Sequence, residues 1–300
     1  MMIHSPFFSR SANLAGMVKK AWEKPGEHPF MLRIQRLFRP PTSQVCQPSF
    51  FYGAFMSKIG VLLMAAGQST RFQGDIKKPY ADIDGRAVWM RAADLFASRK
   101  DVSQIILVIA ADDEENVRRR YGPNMAFMNV TLTLGGSQRS DSVANGLTIL
   151  SDEVEYVAIH DAARPCATTA MIDGVFAAAE KYGAAILAAP VNDTLKRCKA
   201  EHQIEATVPR EHLWLAQTPQ VFRKDLILKA YSERNKHTAA TDDAQLIEAM
   251  GHPVMIVPSD LSNFKITTKS EIYLADAVIK SRPKPKNKSF HPFADEDMGR

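Results

Sequence analysis

The feature that most constrains this chain is an alternation of two periodicities. Short apolar runs at residues 59–65, 104–110, 130–134, 156–160 and 184–190 are separated by segments with helical spacing at 87–97, 114–121, 140–150 and 171–182. Several of the runs are rich in β-branched residues and carry no polar face. Strands of that kind, alternating with helices, predict a mainly parallel sheet covered on both sides. Further strands are expected at 253–258 and 263–267, with a closing helix at 269–280. From 191 to 217 the alternation lapses. Short polar strands at 193–197, 204–208 and 213–217 predict a β-arm projecting from an α/β body.

That body spans residues 58–280. Residues 1–57 are interrupted by Pro25, Pro29, Pro40, Pro41 and Pro48 and sustain no period. They read in three ways: a translation start at Met56 directly before the first strand, a disordered arm, or an organelle-targeting presequence. The start at Met56 is preferred and the arm comes second. Residues 281–300 open on alternating proline and lysine and read as a solvated tail.

Charge follows the same division. The net charge of +5 resides in residues 1–57, which hold seven basic and two acidic residues; of 38 basic and 33 acidic residues in all, 31 of each remain for the body. A neutral body argues against a nucleic-acid partner, and binding of RNA or an anionic membrane through the basic arm ranks last. No apolar run approaches the roughly 18 residues needed to span a bilayer. Cys46, Cys166 and Cys198 lack metal-ligand spacing and suit a reducing compartment. The cytoplasm is expected, or a plastid-type organelle if residues 1–55 are a presequence.

In open α/β sheets ligands sit beyond the carboxyl ends of the strands, which directs attention to the loops. The first, 65–74, contains Ala65, Ala66, Gly67 and Arg71, with Lys78 following. Small residues let main-chain amides approach a phosphate, and the two cations suit phosphoryl or nucleotidyl transfer. The glycine spacing fits neither a P-loop nor a dinucleotide fingerprint. The loop Gly135-Gly136-Ser137-Gln138-Arg139-Ser140-Asp141-Ser142 offers main-chain groups and the Ser142 hydroxyl to a base edge, with Ser140 or Asp141 capping the next helix. Asp161, ending the fourth run, is placed to hold a divalent cation or simply to pair with Arg164. His160 reads as structural. Thr194, Arg210, Thr218, Thr241 and Lys265 could together hold a phosphorylated polyol, and Thr241-Asp242-Asp243 reads as a helix N-terminus.

In order, the Ala-Ala-Gly loop with Arg71, Gly135-Gly136 with Arg139 and Asp141-Ser142-Val143, His160 through Pro165, Asp193-Thr194 with Lys196-Arg197, Thr218-Pro219-Gln220, and Asn263 with Lys265 and Thr267 resemble the 2-C-methyl-D-erythritol 4-phosphate cytidylyltransferases. The likeness covers nearly all of residues 59–280. It implies a Rossmann-like nucleotidyltransferase fold, homodimeric through interlocking arms at about 191–217. It implies cytidylyl transfer from CTP to methylerythritol phosphate with Mg2+ or another divalent cation. Arg71, Lys78, Arg210 and Lys265 would be catalytic. Ala65, Ala66, Gly67, Gly136, Ser137, Arg139, Ser142 and Asp161 would bind CTP, with Asp161 at the metal. Arg164, Thr194, Arg210, Thr218, Thr241 and Lys265 would bind the acceptor. One departure is Ile76-Lys77-Lys78-Pro79-Tyr80, where the family usually has proline before the lysine, so that Lys77 could share its task. Two alternatives stay open: a cytidylyltransferase for another polyol phosphate, such as ribitol 5-phosphate, and a non-catalytic nucleotide-binding protein on the same fold.

Overall fold

The computed structural model describes residues 57–67, 72, 76–234 and 240–282. The expectations for residues 1–56, Met56 among them, for Arg71 and for 283–300 lie outside the described residues.

After β1 (Ile59–Met64) come a single 3-10 turn at Lys78–Tyr80 and a small ribbon of β2 (Asp82–Ile83) and β3 (Arg86–Ala87). The chain continues through α1 (Val88–Ala97), β4 (Val102–Ile109), α2 (Glu114–Phe127), β5 (Val130–Leu134), α3 (Arg139–Thr148), β6 (Tyr156–Asp161), α4 (Thr169–Tyr182) and β7 (Ala184–Pro190). It ends with β8 (Leu195–Cys198), β9 (Ile204–Val208), β10 (Trp214–Arg223), α5 (Lys224–Ser232), α6 (Asp243–Ala249), β11 (Met255–Pro258) and α7 (Ser270–Ser281).

The apolar runs account for the layering. Alternate residues of a strand face opposite sides of its sheet. Val61 and Leu63 of β1 accordingly enter one apolar cluster, with Trp89 and Phe96 of α1, Tyr121 of α2 and Val175 of α4. Leu62 enters another, with Val143 of α3, Ile227 of α5 and Ile247 of α6. All three β1 residues are fully buried, each contributing about 1.5–3 kcal/mol of transfer free energy. A third cluster gathers Ile83, Val88, Ile266 and Ala275 beneath α7. Helix ends follow the sequence signals where these exist. The Thr168 hydroxyl accepts from Met171 N at the start of α4, and Gly183 closes that helix at φ +84°.

Among the described residues seven strands form one sheet, in the order β11-β7-β10-β6-β1-β4-β5. β10 runs antiparallel to β6 and β7, and the other pairs are parallel. The chain leaves β1 toward β4 and β5, then returns to the far side of β1 for β6. That reversal opens a crevice at the carboxyl ends of β1 and β6.

Three elements differ from their sequence expectations. The helical segment expected at 114–121 runs on through Pro123 to Phe127, and Met125 beyond the proline is buried in the core. Residues 263–267 form no strand. Asn263 closes a 3-10 turn, and its side chain and the Ile266 amide bond to Gln217, Thr218 and Ala163 rather than to a strand ladder. In the arm, β8 and β9 pair with each other. The third expected arm strand is the leading part of β10, which pairs with β7 and runs on into the main sheet.

Candidate active site

Beyond the carboxyl ends of β1, β5 and β6 lies a cleft of about 200 Å³, lined by Ala65, Ala66, Gly67, Lys78, Gly136, Ser137, Arg139, Ser142, Asp161 and Lys265, among others. The β1 loop supplies small residues at its base. A Cβ on Gly135 would lie 2.7 Å from Ala66 Cβ, so the loops after β1 and β5 meet only because that position is glycine.

The β5 loop is held by its own polar groups. Ser142 Oγ accepts from Gly136 N at 3.1 Å and donates to Gln138 O at 3.0 Å. Asp141 Oδ2 accepts from Ser137 Oγ at 2.9 Å and from Gln138 N at 3.2 Å. The N-cap of α3 is therefore Gln138, with Asp141 reaching back from the first turn, and not Ser140 or Asp141. With the Ser137 and Ser142 hydroxyls and the Gly136 and Gln138 amides engaged inside the loop, the main-chain carbonyls of 135–137 are what the loop offers a ligand. Arg139 is fixed by a bidentate pair with Asp243, at 3.0 and 2.7 Å. Asp243 is fully buried and also accepts from Tyr231 Oη at 2.6 Å.

At the end of β6 three cations act on Asp161. Lys265 Nζ lies 2.8 Å from Oδ2, Arg164 Nε lies 3.5 Å from it, and Arg139 acts from farther off. Burial alone would raise the Asp161 carboxyl, but these cations outweigh it and hold the group well below the usual carboxylate range. Asp161 is thus an anion across the working pH range. The segment carrying Lys265 is pinned beside it, since Ile266 N donates to Ala163 O at 2.9 Å and Arg164 Nη1 donates to Asn263 O at 2.7 Å.

His160 lies beneath this corner, fully buried, with both ring nitrogens engaged. Nδ1 is 3.1 Å from Thr218 Oγ1 and Nε2 is 3.0 Å from Arg164 O. Thr218 Oγ1 also accepts from Asp161 N at 3.0 Å. These contacts are consistent with a Thr218 hydroxyl that donates to Nδ1 and a ring that carries its proton on Nε2. Burial pushes the imidazole down to about 4, so the ring is neutral at physiological pH. This is the structural histidine the sequence suggests.

The match of a family model covers most of the chain: that for 2-C-methyl-D-erythritol 4-phosphate cytidylyltransferase matches residues 59–281. A protein of that name from Pelotomaculum thermopropionicum is 39% identical over 229 residues, covering 76% of this chain and 96% of the relative. The chain belongs to the 2-C-methyl-D-erythritol 4-phosphate cytidylyltransferase family. A relative of the same name from Rhodopirellula baltica is 38% identical over 74% of this chain and 95% of its own length. Among solved structures, the 4-diphosphocytidyl-2C-methyl-D-erythritol synthase of Anaerococcus prevotii superposes with a TM-score of 0.65 at 30% identity, over 75% of this chain and 96% of that one. The Thermus thermophilus 2-C-methyl-D-erythritol 4-phosphate cytidylyltransferase gives 0.60 at 31% identity, over 73% and 98%.

For a cytidylyltransferase of this family, the cleft gathers the residues expected at CTP together with Lys78 and Lys265. Other expected site residues fall elsewhere. Thr241 lines an adjoining depression with Arg139, Asp141 and Arg234. Thr218 is buried, and its hydroxyl serves Asp161 N and His160. Arg164 packs on Asn263 and Asp161. Thr194 and Arg210 are exposed on the arm, with Arg210 Nη1 donating to Asn192 O, and neither is among the described residues lining the cleft. Lys77 does not share the place of Lys78, because its ammonium pairs with Asp113 at 2.8 Å. Sequence reasoning missed the site role of Asp243. It reads Asp242 and Asp243 alike as helix-terminal acids, yet Asp242 caps α6 while Asp243 anchors Arg139.

Proposed function

We propose that this chain transfers the cytidylyl group of CTP to 2-C-methyl-D-erythritol 4-phosphate, releasing pyrophosphate. The observation that carries the reading is the single cleft in which the small-residue β1 loop, Lys78, the glycine loop 135–138, Asp161 and Lys265 converge. The chain is a nucleotidyltransferase by family, and these are the groups such chemistry needs.

An oxygen of the acceptor phosphate attacks the α-phosphorus of CTP, and the bond to pyrophosphate breaks. A phosphate monoester is already ionised at neutral pH, so catalysis rests on positioning and on neutralising charge in the transition state. Lys78 and Arg71 supply that charge at the triphosphate, and Lys265 supplies it beside Asp161. The main-chain carbonyls of 135–137 are suited to accept from the exocyclic amine of cytosine, since the loop's hydroxyls and the Gln138 carbonyl are otherwise occupied.

Among the described residues no cluster of three or more His, Cys, Asp or Glu side chains could hold a resident metal. The anionic Asp161 fits the other arrangement, in which Mg2+ is held by one carboxylate together with substrate phosphate oxygens. Mg2+ bound there would offset triphosphate charge. The exposed Thr194 and Arg210 support a homodimer in which the arm of one subunit completes the acceptor site of the other. The exposed Ile204, Leu213, Trp214 and Leu215 supply apolar surface for it. Free Cys166 and Cys198 suit a reducing compartment and support a cytoplasmic setting. No helix among the described residues is long and apolar enough to cross a membrane.

Pyrophosphate release with Mg2+, CTP and methylerythritol phosphate tests the reading, with UTP and ribitol 5-phosphate as controls. Release should require both CTP and methylerythritol phosphate. Release with ribitol 5-phosphate alone would overturn the acceptor, and silence with every pair from protein that binds CTP would leave a nucleotide-binding protein.

A further inference from the structure

Asp113 precedes α2 at the position where an aspartate ordinarily accepts hydrogen bonds from the first turn of its helix. Its side chain makes no such bond. Both carboxylate oxygens are directed instead at the short turn that carries Lys78. Lys77 Nζ lies 2.8 Å from Oδ1, and Tyr80 Oη donates to Oδ2 at 3.1 Å. Lys78 stands between these two anchored residues.

Within the turn Tyr80 N donates to Lys77 O at 2.9 Å and Ala81 N to Lys78 O at 3.3 Å, and Pro79 has no N–H to add. The Tyr80 ring is buried and stacks on Tyr121 of α2 with centroids 6.2 Å apart, so ring and hydroxyl both tie the turn to the start of that helix. Burial and the adjacent Asp113 push the Tyr80 hydroxyl well above its usual value, which keeps it a donor. The Asp113 side chain is 12% exposed and that of Lys77 32%, sheltered enough to limit screening of the pair. Asp113 is not among the residues lining the cleft, so any effect it has on chemistry passes through the turn.

We propose that Asp113 is a positioning residue whose carboxylate grips Lys77 and Tyr80 and thereby fixes the direction in which Lys78 enters the cleft. The inference rests on the reading of Lys78 as a group that stabilises charge in the transition state. A lysine on a loose turn would have to be ordered at every turnover, and small misplacements of such a group are costly. The clamp also explains a departure in this chain: the residue before Lys78 is held by an ion pair where the family usually has proline.

The test is steady-state kinetics of Asp113→Ala, Asp113→Asn, Lys77→Met and the double variant Lys77→Met/Asp113→Asn, each checked for folding by circular dichroism and thermal melting. Folded Asp113→Ala should lose about 10–100-fold in kcat, with KM for CTP within about twofold, because the group it places acts in the transition state. The double variant should lose no more than Asp113→Asn alone. Asp113→Glu should recover part of the rate. A folded Asp113→Ala with wild-type kcat, or a loss confined to KM, would overturn the proposal. A second readout does not depend on turnover and separates failure of the clamp from failure of the functional reading. Acetic anhydride labelling followed by mass spectrometry should show Lys77 more reactive in Asp113→Ala and CTP protection of Lys78 reduced. Unchanged labelling of both lysines would sink the clamp even if wild-type protein released no pyrophosphate.

Discussion

Asp161, Lys265 and His160 illustrate how single side chains divide the work. Lys265 pairs with Asp161 at 2.8 Å, whereas Lys78 comes to the cleft from the turn after the β1 loop. Replacing Lys78 by alanine should lower kcat by about 10²–10³, the cost of losing one preorganised charge donor, with a smaller effect on CTP affinity by calorimetry. Near-normal turnover would remove Lys78 from the mechanism. His160 makes a prediction of a different kind. An unfolded chain protonates this ring as pH falls through about 6.5, while the folded chain resists until about 4. Unfolding therefore takes up a proton in that window, and stability declines as pH is lowered from 6.5 toward 4. The contribution is up to about 3 kcal/mol. Urea unfolding of His160→Gln should show a less stable protein at pH 7 with a shallower decline between pH 6.5 and 5. An equal slope in both proteins would assign that pH dependence to other groups.

Elements differ in how openly the sequence announces them. β1 and β7 are apolar along their length and buried at nearly every residue because helices cover both faces, and that burial is visible in composition alone. The loops after β1, β5 and β6 are equally open, since Gly67, Gly135-Gly136 and Ala162-Ala163-Arg164-Pro165 follow directly on those strands. Segment 263–267 is not. Its order comes from Asn263 bonding to Gln217 and Thr218, residues 45 and more positions away that no local period reports. Asp113 and Asp243 escape for the same reason: each sits where an acid favours a helix start, and only the fold shows that its partners are Lys77 and Tyr80, or Arg139 and Tyr231. The β5 loop yields a prediction at this scale. A Cβ on Gly136 would fall 2.4 Å from Asp141 Cβ, so Gly136→Ala must displace Asp141 and with it the Gln138 and Ser137 bonds that shape the loop. CTP binding should weaken by more than tenfold on the order of one or two lost hydrogen bonds, while the apolar core stays folded by circular dichroism. Retained CTP affinity in calorimetry would show that the loop does not read the nucleotide.

The whole molecule raises the question of what completes the acceptor side of the cleft. Within one chain Lys78, Asp161 and Lys265 line it, but Thr194 and Arg210 stand on the arm and do not. The same arm leaves Ile204, Leu213, Trp214 and Leu215 exposed, a cost in water that a second copy would relieve. If each site borrows Arg210 from its partner, then Trp214→Glu should shift the protein from dimer to monomer in light scattering and lower turnover with it. The sharper test is complementation. Lys78→Ala and Arg210→Ala homodimers should both be nearly inactive. In a co-expressed heterodimer, one cleft keeps its own Lys78 and receives an intact Arg210 from the arm of the other subunit. Such a mixture should recover activity that neither parent has. A purified heterodimer as inactive as its parents would place Arg210 in its own chain's site, and the arm would then serve association alone.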